Sequence, residues 1–103
     1  MEIRDLESHL DDAERLLKAL ANRHRLLVLC ELHGGEKSVG ELHEAVGLSQ
    51  SALSQHLAWL RADGIVSTRR EAQTIHYSLA SPEVKRLIAV LHEMFCAGGC
   101  SSR

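Results

Sequence analysis

The chain has few aromatic residues, a single proline and no long hydrophobic run. Only Trp59, Tyr77 and Phe95 are aromatic, so aliphatic residues must fill the core of the 103-residue chain. A chain of this length forms one domain, which we expect to span 1–103. No segment approaches the roughly 20 apolar residues of a membrane-spanning helix, and the acidic start MEIRDLESHLDD lacks the features of a signal peptide. These absences predict a cytoplasmic protein with no membrane partner.

Cysteines are also scarce. Cys30, Cys96 and Cys100 are too few and too widely spaced for the disulfide framework of a small secreted domain. In a reducing compartment they are free thiols, metal ligands or redox sensors. Taken alone, Cys30 predicts core packing, because cysteine is among the most often buried residue types.

The first half of the chain has helical periodicity. Apolar residues recur every three or four positions and predict a first helix over about 4–20. Asn22 is the candidate N-cap of a second helix, RHRLLVLCEL, which ends at the Gly34-Gly35 pair. Apolar residues surround the axis of this second helix, so we expect it to be central and buried.

Two short helices joined by a tight turn follow. Ser38 and Glu41 have capping-box spacing at the start of a third helix, and Gly47 ends it. Leu48 leads to Ser49, the N-cap of a fourth helix with the sequence QSALSQHLAWLRAD. This arrangement is typical of a helix-turn-helix.

Beyond Gly64 the pattern changes from helical to alternating. The runs IVSTRR and TIHYSL, joined by EAQ, predict an antiparallel hairpin. Ser81-Pro82-Glu83 then begins a last helix over 82–96. The predicted fold is mainly α with a β-hairpin wing: a winged helix-turn-helix of about five helices and two strands.

The fourth helix has an inward apolar stripe and an outward polar face. We predict that this polar face reads bases in the major groove, because glutamine can form two hydrogen bonds with an adenine edge and serine can bond to bases or phosphate. Two arginines, expected at the hairpin tip, can reach phosphate or the minor groove. The net charge of −2 does not favour this, although 49–78 has a slight basic excess. The predicted DNA-binding residues are Ser49, Gln50, Ser51, Ser54, Gln55, His56, Arg69 and Arg70.

The stretch LSQSALSQHLAWLRADGIVSTRREAQTIHYSL, with its SxxSxHLxxLxxxGxV pattern, resembles the recognition helix and wing of ArsR-type repressors. The segments LLKALANRHRLLVLCEL and SVGEL resemble the second and third helices of that family. The resemblance implies a transcriptional repressor that binds double-stranded operator DNA. It also implies a homodimer with the first and last helices at the interface. Many relatives release DNA when they bind an inducer.

The resemblance also implies which kind of inducer controls DNA binding. One metal site of the family uses thiols at the start of the third helix, where this chain has Ser38 and Gly40. Another uses acidic and histidine residues along the last helix, where this chain has only His92 and Glu93 near the end. LCEL, the REAQT wing and the terminal FC instead resemble the sulfide- and persulfide-responsive branch, the SqrR, BigR and HlyU type. This implies a redox-sensing dithiol of Cys30 and Cys96. Reactive sulfur species would join the two cysteines through a disulfide or polysulfide bridge and so weaken DNA binding.

Alternatives stay open. A metal- or haem-responsive repressor is the second hypothesis, since His92, Cys96 and Cys100 share i, i+4 spacing if the last helix extends. Cys100 can equally resolve a mixed disulfide or have no role. A thiol enzyme is disfavoured, because the chain has no glycine-rich phosphate loop and no paired carboxylates near a pocket. A pure protein-interaction module would not need arginines on a wing. We expect no catalytic residue, metal site or cofactor.

Overall fold

The computed structural model describes residues 3–96, with the backbone alone for Cys96. The predicted fold is confirmed: the molecule is mainly α with a hairpin wing, although residues 3–96 form six helices and three strands rather than five and two. The tail AGGCSSR, with Cys100, lies outside the described residues. The elements in chain order are α1 Ile3–Glu7, α2 Leu10–Leu20, α3 Arg23–His33, β1 Lys37–Ser38, α4 Val39–Val46, α5 Gln50–Ala62, β2 Val66–Glu71, β3 Thr74–Leu79 and α6 Pro82–Cys96.

Side-chain caps set where helices α3 to α6 begin. Asn22 accepts hydrogen bonds from two backbone amides of the first turn of α3, both at 3.0 Å. Ser38 and Glu41 form the predicted capping box, in which the Glu41 carboxylate accepts from the Ser38 amide at 2.8 Å. Ser49 and Ser81 each accept an amide hydrogen bond at 3.2 Å from the first turn of α5 and α6. The predicted starts of these helices are confirmed, because each cap satisfies an amide that has no partner within its helix.

The first helix, predicted as continuous over 4–20, is divided in two. The Ser8 hydroxyl donates to the Asp5 carbonyl at 2.9 Å, and such a bond competes with the helical backbone pattern. His9 then leaves the helical region, with φ −125° and ψ 18°. The chain resumes a helix at Leu10, so α1 and α2 are separate segments.

The third strand is a short segment that the sequence pattern did not predict. Lys37 and Ser38 pair with Tyr77 and His76 of β3, which gives the strand order β1-β3-β2. Two residues are too few to show the alternation by which strands are recognised. The sheet therefore connects the wing to the segment just before α4.

The core is aliphatic, as the shortage of aromatic residues predicts. Helix α3 is central, but the prediction that it is buried all round is wrong, because Cys30 lies on an exposed face. The buried residues are Ala19, Val28, Leu29, Leu32, Leu42, Val46, Leu53, Leu57, Leu60, Ile65, Val66, Leu79, Val84 and Ile88.

Arg25 connects three helices. Its Nε donates to the Ala19 carbonyl at 3.2 Å and its Nη2 to the Lys18 carbonyl at 2.8 Å, so it neutralises the carbonyl end of α2. The same guanidinium lies 4.3 Å from the centre of the Trp59 ring on α5, within cation–π range. Trp59 therefore packs at the edge of the domain, and one side chain holds α2, α3 and α5 together.

We expect Arg25→Ala to lower the free energy of unfolding by about 2–3 kcal/mol, because two charge-assisted hydrogen bonds and the ring contact are lost. Arg25→Lys should recover less than half, since lysine lacks the planar fork. Urea unfolding at fixed protein concentration measures both. Arg23→Ala, at an exposed arginine in the same turn, is the matched control and should cost less than about 0.5 kcal/mol. Equal losses for Arg23→Ala and Arg25→Ala would contradict the role of Arg25.

Candidate DNA interface and cysteine site

Helix α5 has the two faces that its sequence predicts. Its leucines are buried against the core, which fixes the direction of the opposite face. That face exposes four of the predicted base-reading residues on the first two turns: Gln50, Ser51, Ser54 and Gln55. The arrangement suits insertion of the N-terminal half of the helix into a major groove.

Two other predicted DNA-binding residues on this helix also have partners within the fold. Ser49 caps α5 by accepting from the Ala52 amide at 3.2 Å. His56 is half-buried, with its ring centre 6.0 Å from that of His24. Burial, followed by the charges of Arg25 and His24, lowers the pKa of His56. The His56 ring is therefore neutral at pH 7 and adds no positive charge to this surface.

Arg69 was predicted from sequence to lie at the hairpin tip, and this prediction is wrong. The turn consists of Ala72-Gln73, and Arg69 pairs with His76 two register positions before the last strand pair. Its Nε and Nη2 donate to the two carboxylate oxygens of Glu36 at 3.0 and 2.8 Å, and Nη1 lies 3.6 Å from Glu71. Hydrogen bonding to Arg69 is the main reason that the pKa of Glu36 is lowered. The charge of Arg69 is thus balanced by a carboxylate of the same chain at the protein surface.

Glu36 is a residue that the sequence analysis missed. It lies just before β1 and 33 positions from Arg69, so no local spacing links the two. Register across the sheet brings them together, because Ser38 is opposite His76 and His76 is opposite Arg69. The ion pair therefore connects strand β2 of the wing to the residue just before β1.

Arg70 lies nearer the tip than Arg69. It is exposed and pairs with Ile75, next to the last pair of the hairpin. Successive side chains of a strand point to opposite faces, so Arg70 projects away from the face on which Arg69 meets Glu36. Of the two arginines, Arg70 has the position that the sequence analysis assigned to both.

Cys30 has an exposed side chain and forms no disulfide with another described residue. Core packing, the alternative for a lone cysteine, therefore does not hold within this protomer. The protein atoms that surround its sulfur, and then the carboxylate of Glu31, raise the pKa of the thiol. The protonated form dominates at neutral pH.

His33, the last residue of α3, lies next to His92 of α6. Their ring centres are 5.4 Å apart and their planes are tilted by 42°. Near its start, α6 lies beyond the end of α3, because Lys85 lines the same groove as Gly35 and Glu36. Helix α6 therefore runs back along α3 in the opposite direction.

This antiparallel course relates the backbone positions of two cysteines. Cys30 lies three residues before His33 on α3, and Cys96 lies four residues after His92 at the end of α6. Both positions are about one helical turn from the histidine contact, on the same side of it because the helices run in opposite directions.

Among the described side chains, no three histidine, cysteine, aspartate or glutamate residues form a cluster able to hold a metal ion. The alternative site of His92, Cys96 and Cys100 includes a residue outside the described part. Over the same residues, no helix is long and apolar enough to cross a membrane.

Residues 22–68 match the model of the arsR family of bacterial regulatory proteins. The chain is 55% identical over 96 residues to the transcriptional activator HlyU of Vibrio cholerae, which amounts to 93% of this chain and 89% of that protein. This chain belongs to the ArsR family. It is a transcriptional regulator, as the curated relatives are, and they are DNA-binding proteins rather than enzymes.

Solved structures of ArsR-family relatives share its fold. Reduced HlyU from Vibrio cholerae is 55% identical with a TM-score of 0.86, covering 91% of this chain and 99% of that one. The repressor BigR from Xylella fastidiosa is 41% identical with a TM-score of 0.87, covering 94% and 99%. A homodimeric winged helix-turn-helix DNA-binding domain from Mycobacterium bovis is 34% identical with a TM-score of 0.74, covering 91% and 86%. The resemblance to the HlyU and BigR branch is confirmed.

We expect Gln50→Ala to relax sequence preference at one base position, at a cost of about 1–3 kcal/mol for the preferred base. Arg70→Ala should instead weaken binding to all sequences alike and reduce the slope of log affinity against log salt by about one. Fluorescence anisotropy on an operator selected from random DNA, and on its single-base variants, measures both. The division of roles fails if the two substitutions alter specificity equally.

Arg69→Ala is the matched control for Arg70→Ala. Because Glu36 already balances Arg69, its removal should leave the salt slope unchanged, even if overall affinity falls through a displaced wing. Glu36→Gln breaks the same contact but leaves the charge of Arg69 unbalanced, so it should lower affinity less than Arg69→Ala does. A reduced salt slope for Arg69→Ala would show that Arg69 contacts phosphate.

Proposed function

We propose that this ArsR-family regulator is a homodimeric repressor that releases its operator when reactive sulfur species oxidise a dithiol of Cys30 and Cys96. One observation carries the proposal. The thiol of Cys30 is exposed on α3, and the opposed course of α6 gives Cys96 a backbone position on the same side of the His33–His92 contact. A relative at 55% identity was solved in a form described as reduced, which supports a redox-active protein.

DNA binding is proposed to divide between helix and wing. The exposed residues Gln50, Ser51, Ser54 and Gln55 read bases, with Ser49 and His56 at the edges of the contact. Arg70 holds phosphate near the hairpin tip. Arg69 positions the wing through Glu36, which revises the phosphate contact expected for it from sequence.

The partner subunit is proposed to cover an apolar face. Monomeric proteins rarely expose large contiguous apolar patches, yet α1, α2 and α6 expose several large aliphatic or aromatic side chains. A second copy covering the same face would give the two-fold symmetry usual for small oligomers. The homodimeric relative from Mycobacterium bovis supports this arrangement. The exposed residues are Ile3, Leu6, Leu10, Leu17, Val90, Met94 and Phe95.

The proposed chemistry uses a low-molecular-weight persulfide such as glutathione persulfide. A cysteine thiolate attacks the terminal sulfur of the persulfide, and glutathione leaves as its thiolate. The resulting protein persulfide is attacked at its inner sulfur by the other cysteine, and hydrosulfide leaves. Two protein thiols are oxidised to a disulfide while the transferred sulfur is reduced to sulfide. If both cysteines first become persulfides, the same attack leaves a polysulfide bridge.

The bridge would act on DNA binding through α3. Cys30 lies on the same helix as Arg25, and Arg25 contacts Trp59 of α5. Cys96 ends the helix whose exposed residues belong to the proposed dimer interface. A covalent link between α3 and α6 therefore changes how the two α5 helices of a dimer are spaced.

We expect the reduced protein to sediment as a dimer and to bind an inverted repeat whose half-site centres lie one helical turn apart, about 34–36 Å. Phe95→Glu should shift the protein towards monomer, because a charge replaces an apolar group at the interface. Arg23→Glu, which adds the same charge at a position that is exposed and already polar, is the matched control. A wild-type protein that is monomeric at micromolar concentration would refute the proposal.

Cys30→Ser and Cys96→Ser should each bind the operator with near wild-type affinity and fail to release it after glutathione persulfide. Cys100→Ser should respond almost normally, since it follows the Gly98-Gly99 pair beyond the end of α6. Anisotropy before and after treatment measures release, and mass spectrometry identifies the bridge. The dithiol mechanism is wrong if Cys30→Ser still releases DNA.

A further inference from the structure

We propose that the groove between α5 and the wing holds one sugar–phosphate strand of the operator, and that Arg61 and Tyr77 bind a phosphate within it. The inference rests on the DNA binding proposed above and adds a backbone site that is separate from the base-reading residues. Neither Arg61 nor Tyr77 was predicted from sequence to contact DNA.

A groove of about 430 Å³ lies between α5 and strand β3. Helix α5 contributes Ser54, Ala58, Arg61 and Ala62 to its lining, and β3 contributes Tyr77. The two alanines are exposed, and their short side chains leave the helix surface low at this point. The backbone of a polymer can therefore approach α5 closely here.

The groove continues the base-reading face of α5. Arg61 follows Gln50 by 11 residues, which is close to three turns of 3.6 residues, so the two side chains share one face of the helix with Ser54 between them. Arg61 lies roughly 16 Å farther along the helix axis, at a rise of 1.5 Å per residue. Because a recognition helix contacts bases with its N-terminal residues, a side chain this far along is expected at the backbone rather than at the bases.

The wing carries a second cation on the sheet face that borders the groove. In the hairpin, Thr68 is opposite Tyr77 and Arg70 is opposite Ile75, and directly opposite residues share one face of a sheet. Alternation along the strands then puts Tyr77 and Arg70 on the same face, two register positions or roughly 7 Å apart. A DNA strand in the groove would therefore pass Arg70 near the hairpin tip and Arg61 farther in.

The charge of the groove suits a phosphate. None of the residues that line it is acidic, whereas two other grooves of the described part include carboxylates, among them Glu36 and Glu83. Over residues 3–96, the arginines that pair with carboxylates are Arg15 and Arg69. No described carboxylate therefore balances the guanidinium of Arg61, which can pair with an anion from outside the chain.

Tyr77 adds a donor without adding charge. It is half-buried and packs against the hydrophobic core, which restricts its ring, and it also lines the groove. A phenolic hydroxyl can donate a hydrogen bond to a phosphate oxygen. Arg61 and Tyr77 thus approach one phosphate from the helix side and from the sheet side.

The first test measures binding of the full chain to the selected operator by fluorescence anisotropy over a range of salt concentrations. Arg61→Ala should weaken binding roughly tenfold or more and reduce the slope of log affinity against log salt by about one. Tyr77→Phe should weaken binding about 3–10-fold with an unchanged salt slope, because no charge is lost. Arg86→Ala, at an exposed arginine of α6 outside the groove, is the matched control and should leave affinity and slope unchanged.

A steric variant tests the groove without changing its charge. Ala58→Leu should fill the space that the DNA strand needs and weaken binding at least as much as Arg61→Ala does. Ala58→Ser keeps the groove open and should bind the operator as wild type does. Equal affinities for Ala58→Leu and wild type would show that no DNA strand occupies the groove.

Neutral methylphosphonate linkages, placed one at a time along the operator, locate the phosphate. In wild type, one linkage in each half-site, away from the base that Gln50 reads, should weaken binding as much as Arg61→Ala does. In Arg61→Ala the same linkage should have no further effect, because its partner is already absent. Losses that add at every linkage, or wild-type affinity and salt slope in Arg61→Ala, would overturn the site.

These measurements separate the groove from the proposed function. If Gln50→Ala relaxes specificity while Arg61→Ala and Ala58→Leu bind as wild type does, the groove proposal is wrong and base reading by α5 stands. If wild type binds no DNA, both proposals are wrong.

Discussion

The contact between Arg25 and its partners on two other helices determines how the surfaces of this protein relate to one another. Its guanidinium holds the last carbonyls of α2 and the ring of Trp59 on α5. Helix α2 carries part of the exposed apolar face, whereas α5 carries the polar face suited to DNA. Because one planar cation joins both to α3, the orientation of α5 is coupled to the apolar face. The same charge also helps to keep His56 neutral, so it affects the electrostatics of the DNA side as well as its geometry.

A second constraint is the small number of positive charges available for DNA. The chain has a net charge of −2, and the bidentate pair with Glu36 balances one of the two wing arginines. In the proposed mode of binding, attraction to phosphate depends on few groups, and the neutral amides and hydroxyls of α5 discriminate between bases. Such a protein gains specificity from hydrogen-bond geometry more than from overall charge.

Features set by neighbouring residues could be predicted from sequence, whereas features set by distant ones could not. The caps at Asn22 and Ser38 depend on two to three following residues and were predicted correctly. The strand β1 forms only because β3 returns beside it, and the Glu36–Arg69 pair depends on that same register. The exposure of Cys30 was missed because an apolar helix pattern does not reveal which face a small fold leaves uncovered. The His33–His92 contact joins residues 59 positions apart, beyond any local spacing.

The exposed position of Cys30 on α3 has a kinetic consequence for the proposed switch. A thiol at the surface reacts without prior opening of the fold, so the first step is bimolecular and its rate rises with the concentration of the oxidant. Closure of the bridge is unimolecular and independent of that concentration. The onset of the response therefore reports how much oxidant is present. Its duration instead depends on how quickly cellular reductants break the bridge, so the regulator retains a memory of a brief exposure.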